Sequence, residues 1–303
     1  MYRNILVPLD GSALSEAALP TAIALARGLG AKLVLVRSAT EDAPWRDGSP
    51  EAEYSKLQDT KAYLAGVAGR LANQGVRVET VTTDIEPGDA ILLESRLRRA
   101  DLVVMCTDGR IGPEPWQAGA VAADDFALLY DVPVLLVRPT DATAQKPLKS
   151  SAWLVALDGS AFAEAVLPSV STLAASLGAR LVLMRVVEPQ LYDQPVGYDE
   201  LSASQEAEEE EMAEAEAYLA GVADRLTALG LNVQTQVCLG PVAEMIVVQA
   251  EVANAGLVAM AAHGPTGLPE LINGSVPRQV FEQDSRSLLL VRPLERRLHR
   301  AAA

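Results

Sequence analysis

The sequence predicts an α/β protein of two tandem doubly wound domains, each a five-stranded parallel sheet with helices on both faces. Three observations lead there. The chain repeats itself after about half its length, short β-branched runs alternate with helical patterns in each copy, and a glycine-containing loop follows the fourth apolar run. Open sheets of this kind bind ligands outside the carboxyl ends of their strands, so the loop also marks where function is to be sought.

The repeat is direct. "PLDGSALSEAALP" at 8–20 returns as "ALDGSAFAEAVLP" at 156–168, and "LGAKLVLVR" at 29–37 as "LGARLVLMR" at 177–185, an offset of 148. Further on, "YLAGVAGRL" at 63–71 matches "YLAGVADRL" at 218–226, and Gly109 and Gly119 fall on Gly264 and Gly274, now at 155. The second copy therefore carries seven extra residues around "EPQLYDQPVGYDELSAS". A period this long is a duplicated domain, since solenoid repeats run to about 20–50 residues. The expected layout is a first domain at 1–139, a polar, proline-bounded linker at 140–150, a second domain at 151–293 and a basic tail at 294–303.

Each copy offers five strands. They are "NILVPL", "AKLVLVRS", "VRVETVTT", "DLVVMC" and "VPVLLVRP" in the first, and "AWLVAL", "ARLVLMRVV", "LNVQTQV", "GLVAMA" and "SLLLVRP" in the second. Nearly continuous apolarity suits parallel strands covered on both faces. Leu57, Leu64, Val67 and Leu71 share one helical face, and Met212, Leu219, Val222 and Leu226 repeat that spacing. "SVPRQVFEQ" reads as a helix beginning at Ser275. The fifth strands, apolar and expected at a sheet edge, invite pairing. Self-association through them, joining the two copies antiparallel into a pseudo-dimer, is expected.

Composition narrows the classes. A formal charge of −15 disfavours nucleic acid and anionic membrane as partners. No apolar run reaches the roughly 18–20 residues of a membrane span, and "MYRNILVPLDGS" lacks a secretion-signal pattern, so a cytoplasmic protein is expected. Cys106, Cys238, His263 and His299 are too scattered for a zinc site, and each cysteine ends an apolar run, which suits a buried free thiol. The acidic run at 206–218 reads as the solvated start of a helix rather than a metal site. No metal-binding residue is assigned. Trp45, in a loop that could fold over the first crevice, and Trp116, inside the first copy's glycine loop, could each cover a site, but packing is the simpler role.

Within "AAHGPTGLPELINGSV" at 261–276, the spacing fits two readings. Gly264 would let backbone approach a ligand, with Gly274 and Ser275 presenting N–H groups and a hydroxyl to an anion at a helix N-terminus. Alternatively, Gly264 serves a turn and Ser275 caps its helix. Asp10 and Asp158, at the carboxyl ends of the first strands, have a similar pair of readings. They face the crevice and could bond a ribose or base, or they form Asp-Gly-Ser turns with Ser12 and Ser160 as N-caps. A P-loop string is absent, and so is a G-x-G-x-x-G after the first strand.

These residues resemble the universal stress protein family over both copies. Its nucleotide-binding members share G-x2-G-x9-G-[ST] between the fourth strand and fourth helix. The second copy reads Ala261-x2-Gly264-x9-Gly274-Ser275, with alanine at the first glycine. The resemblance implies a Rossmann-like fold and ATP, with or without Mg2+, lying across the strand ends. By that likeness Asp158 and Val186 would hold the nucleoside, and Gly264, Gly274, Ser275 and Val276 the phosphates. His263, on the loop, could donate to a phosphate; it is equally placed to face solvent.

The first copy departs further. It reads Cys106-x2-Gly109-x9-Gly119-Ala120, so a cysteine replaces the first glycine and an alanine the hydroxyl. Asp108 replaces His263, and two unit charges about 4 Å apart repel by about 4 kcal/mol at an effective dielectric near 20. Arg110 offsets part of this. Asp10, Gly109 and Gly119 would make a weaker site.

The expected function is an ATP-binding stress-response or regulatory module without strong catalysis. A slow ATPase, or a dimerisation module that binds no nucleotide, is the alternative. Related ATP-pyrophosphatases and nucleotidyl transferases mark the first strand with Ser-Gly-Gly-x-Asp-Ser or His-x-Gly-His, and neither string occurs. No residue is assigned a catalytic role.

Overall fold

A computed structural model describes residues 2–40, 50–106, 132–138, 148–189, 198–262 and 275–292. The first half runs β1 (Asn4–Pro8), α1 (Ala13–Glu16), α2 (Leu19–Leu29), β2 (Lys32–Ser38), α3 (Pro50–Ala72), β3 (Arg77–Thr83), α4 (Pro87–Leu97), β4 (Leu102–Cys106) and β5 (Val134–Val137). The second half follows with β6 (Ala152–Ala156), a 3-10 turn (Ala163–Val166), α5 (Leu167–Leu177), β7 (Arg180–Val187) and α6 (Tyr198–Thr227). It ends with β8 (Val233–Leu239), α7 (Val242–Val252), β9 (Ala255–Ala261), α8 (Ser275–Gln283) and β10 (Ser287–Val291).

The strands form one ten-stranded sheet ordered β3-β2-β1-β4-β5-β10-β9-β6-β7-β8. Pairing is parallel within each half, and β5 meets β10 antiparallel through Val134–Leu290, Leu135–Leu289 and Leu136–Leu288. The fifth strands are the edges of their own halves only. Their pairing places them at the centre of the whole sheet and leaves β3 and β8 outermost.

That position corrects one expectation. The third strands are not apolar throughout: β8 exposes Gln234, Thr235 and Gln236, and β3 exposes Arg77 and Thr80. An outermost strand has one neighbour and one wet side, which polar residues suit. β8 also starts later than its apolar run. Leu231 instead closes the turn that follows α6, where its N–H bonds the Leu226 carbonyl and its side chain is buried, a helix stop of the Schellman kind.

Strand side chains alternate between two helical layers. Ile5 and Val7 of β1, and Leu257 and Ala259 of β9, join a core with α2, α3, α5 and α6. Leu6, Val258 and Met260 join the opposite core with α4, α7 and α8. Leu64, Val67 and Leu71 in α3, and Leu219, Val222 and Leu226 in α6, are buried as their spacing predicts. Leu57 and Met212, nearer the helix starts, are half-buried. The acidic run lies inside α6, which begins earlier at Tyr198, and most of its glutamates are exposed. Neither cysteine is in a disulfide, and both are buried. No helix among the described residues is long and apolar enough to cross a membrane.

Candidate functional site

The parallel register brings the chosen residues of the second half to one edge. Val155 lies beside Leu183 and Ala259, and the Leu157 N–H continues the ladder to the Met184 carbonyl. Asp158 therefore emerges from β6 between the ends of β7 and β9, where Val186 and Ala261 stand. Asp158 is exposed, whereas Val186 and Ala261 are half-buried. Val186 leans on the α7 layer, and Val276, in the first turn of α8, packs on the same core.

The Asp-Gly-Ser turns fold as caps in both halves. Asp158 Oδ1 accepts the Ser160 N–H at 2.8 Å, and Ser160 Oγ accepts the Ala163 N–H at 3.0 Å. In the first half Asp10 Oδ1 accepts from Ser12 N at 2.7 Å and Ser12 Oγ from Ser15 N at 3.1 Å. Capping occupies one carboxylate oxygen of Asp158 and leaves the exposed residue room to meet a ligand as well. Asp10 is half-buried and takes a further bond, its own N–H donating to Ser15 Oγ at 3.3 Å.

Behind each turn stands an arginine that local patterns did not reveal. Gly159 has φ +90°, and a Cβ there would come 3.2 Å from Arg185 Nη1. Gly11 has φ +91°, with Arg37 Nη1 at 2.8 Å. Only glycine takes that backbone readily, and the guanidinium fills the space a side chain would need. Arg185 lies 5.9 Å from the Tyr218 ring centre and Arg37 4.8 Å from that of Tyr63. Tyr63 donates to Glu16 at 3.0 Å, and Arg70 pairs with the same carboxylate at 2.6 Å. In the second half Arg225 pairs with Glu164 at 2.7 Å.

Burial, and then the neighbouring Glu16, pushes the Tyr63 phenol well above the ordinary tyrosine range. Burial and Glu164 do the same to Tyr218, whose buried hydroxyl makes no hydrogen bond of regular geometry. Both clusters were open to sequence reasoning through the repeat, because Glu16, Arg37, Tyr63 and Arg70 return as Glu164, Arg185, Tyr218 and Arg225.

His263, Gly264 and Gly274 lie outside the described residues, as do Gly109, Gly119, Asp108, Arg110, Ala120, Trp45, Trp116 and His299. Ser275 opens α8, and its side chain is likewise not described. Cys106, the first loop position of the first copy, ends β4 and is buried. Among the described residues no three His, Cys, Asp or Glu side chains cluster to hold a metal.

The model of the universal stress protein family matches residues 1–138 and again 153–292. The chain belongs to that family. Curated universal stress proteins match one half at a time. One from Methanocaldococcus jannaschii is 28% identical over 143 residues, covering 46% of this chain and 83% of its own. One from Bacillus subtilis is 26% identical over 149 residues, covering 46% of this chain and 100% of its own. The whole tandem arrangement is similar to a universal stress protein from Archaeoglobus fulgidus, with TM-score 0.67, 17% identity and 97% of both chains covered. A putative universal stress protein from Pseudomonas aeruginosa gives 0.61 and 20%, covering 96% of this chain and 94% of that one. At such identities the last two likenesses speak for the fold alone.

Proposed function

We propose that this universal stress protein is a regulatory module of the stress response whose second half binds ATP. The reading rests on one juxtaposition. An exposed carboxylate, Asp158, stands between the strand ends that carry Val186 and Ala261, and the next helix on that side begins at Ser275, after Gly274. Adenosine would lie against Asp158 and Val186. The phosphates would meet the start of α8, where free N–H groups and the helix dipole favour an anion.

The residues support binding more than turnover. Phosphoryl transfer requires a held metal and an oriented water or acceptor. Asp158 offers one carboxylate, already partly committed to the Ser160 N–H. A Mg2+ ion would therefore come with the nucleotide and be held through its phosphates. The antiparallel pairing of β5 with β10 inside the chain supports reading the fifth strands as the self-association surface.

Calorimetric titration of the purified chain with ATP tests the reading. About one site per chain is expected, lost in Gly274→Val, with hydrolysis slower than roughly 1 s⁻¹, the low end of enzyme turnover. A site that survives Gly274→Val places the nucleotide elsewhere. Faster hydrolysis makes the protein an enzyme.

A further inference from the structure

We propose that Arg138, which belongs to the first half, positions the phosphate-binding helix of the second half and so sets its affinity for the charged part of the nucleotide. The inference rests on the nucleotide reading above. Arg138 directly follows β5 and is 8% exposed. Its Nη2 donates to the main-chain carbonyl of Phe281, and its guanidinium lies 4.1 Å from the centre of the Phe281 ring. Phe281 is in the last turn of α8, which starts at Ser275. One end of that helix is thus held by the first half, and the other faces the proposed phosphates.

Charge and geometry both favour this role. A cation near the last carbonyls of a helix complements its negative end, and a side-chain bond there satisfies a carbonyl without an intrahelical partner. A buried guanidinium is tolerated only where such partners exist. The contact spans 143 residues of sequence and crosses the junction between halves. α8 has nine residues, so it is a rod of about 13 Å at 1.5 Å per residue. A tilt at Phe281 is carried to Ser275. Within its own half α8 rests on Val280 and Phe281, buried in the core it shares with α7 near the Arg138 end, and more lightly on the half-buried Val276 at the other end. Removing Arg138 should therefore loosen the phosphate end of the site and leave the strand ends that carry Asp158 and Val186 in place.

The test is calorimetry on the full chain with ATP and, separately, with adenosine. Arg138→Met should weaken ATP binding about tenfold, the scale of one charge-assisted hydrogen bond. Adenosine binding should change by less than about twofold, as for a substitution away from the contact. Arg138→Lys, which keeps the charge and a donor without the planar stack, should recover part of the loss. Should Arg138→Met not fold, Phe281→Leu removes the ring while keeping the carbonyl, and should show the same split at smaller size. Equal losses for both ligands, or none, would overturn the inference and leave the nucleotide reading intact. A wild type that binds neither ligand would overturn the nucleotide reading and this inference with it.

Discussion

Leu135 of β5 lies opposite Leu289 of β10, and the two are counterparts in the repeat, "VLLVRP" against "LLLVRP". An antiparallel ladder in which a residue pairs with its own counterpart has a pseudo-two-fold axis through that pair. The axis emerges again among the helices. Gly28 of α2 meets Ser176 of α5, its counterpart at offset 148, so closely that a Cβ on Gly28 would lie 2.5 Å from the Ser176 carbonyl oxygen. The two halves of the chain are therefore related by a pseudo-two-fold axis.

The helix crossing makes a paired prediction. Gly28→Ala should lower stability by about 1–3 kcal/mol, because the intruding methyl meets a backbone carbonyl rather than a movable side chain. Gly69→Ala in α3 makes the same chemical change where nothing lies within 4 Å. It should raise stability by about 0.5–1 kcal/mol through helix propensity. Urea unfolding of the two variants should shift the midpoint in opposite directions. Shifts of the same sign would show that α2 and α5 do not meet at Gly28.

A second prediction concerns acid. Glu79 of β3 pairs with Lys32 at 2.5 Å and also with Arg98, which reaches Glu94 at 2.9 Å. The hydrogen bond from Lys32, and then the nearby charges, hold the Glu79 carboxyl below its ordinary value of 4.5. A group depressed on folding stabilises the fold above its unfolded pKa, and that contribution is lost as pH falls through the folded value. Glu79→Gln should therefore cost stability at pH near 7 and almost none near pH 2, and because Glu79, Lys32 and Arg98 are only half-buried, solvent screening should hold the cost near about 1 kcal/mol. The second half supplies the control, since its counterparts Arg180 and Gln234 bond at 2.8 Å without a titrating carboxylate. A wild-type advantage that persists unchanged in acid would remove Glu79 from the account.

Much of this architecture is legible in the sequence because it depends on local period. The spacing of Leu64, Val67 and Leu71 gives the buried face of α3, and "SVPRQVFEQ" matches α8 from Ser275 to Gln283. The edge-strand argument likewise leads to the β5–β10 ladder. What local period does not carry is the position of the dyad. Arg138 looks like the polar end of a strand until α8 of the other half is placed beside it. Gly28 looks like any helical glycine until Ser176 arrives. The polar third strands follow from the same cause, since only the full strand order makes β3 and β8 outermost. At the candidate site, the strand-end residues Asp158, Val186 and Ala261 come together from topology, while the glycine loop is outside the described residues.

The tyrosine clusters predict an alkaline signature. Tyr63 and Tyr218 are two of seven tyrosines, both raised well above 10, first by burial and then by the carboxylates beside them. A group raised on folding stabilises the fold below its unfolded pKa, and that contribution is lost as pH rises through the folded value. Phenolate absorbance of the native protein should keep a fraction, to which Tyr63 and Tyr218 contribute, protonated after tyrosines of ordinary pKa ionise near about pH 10. Those two should titrate only with alkaline unfolding. Replacing both with Phe should shrink the delayed phase by two tyrosines; a delayed phase of unchanged size in the double variant assigns it to other residues.

The last prediction is an asymmetry between the two crevices that can be reversed by design. If Ser275 donates to a phosphate, its counterpart Ala120 cannot, and hydrogen bonds to charged groups contribute roughly 1.5–3 kcal/mol. Asp108 adds repulsion where the second half has His263. Solvent screening reduces both effects, and about 2 kcal/mol of difference, roughly thirtyfold in affinity, is expected to remain. The turns point the same way, since Asp158 is exposed while Asp10 is half-buried and its N–H is taken by Ser15. Ser275→Ala should therefore weaken the stronger site toward the level of the first. Ala120→Ser combined with Asp108→His should strengthen the first and bring the titration toward two sites per chain. Because Cys106 and Ala261 both replace the family's first glycine, neither half gains from that position, and the comparison rests on the hydroxyl and the charge. Two equal sites in the unmodified protein would show that neither feature controls binding.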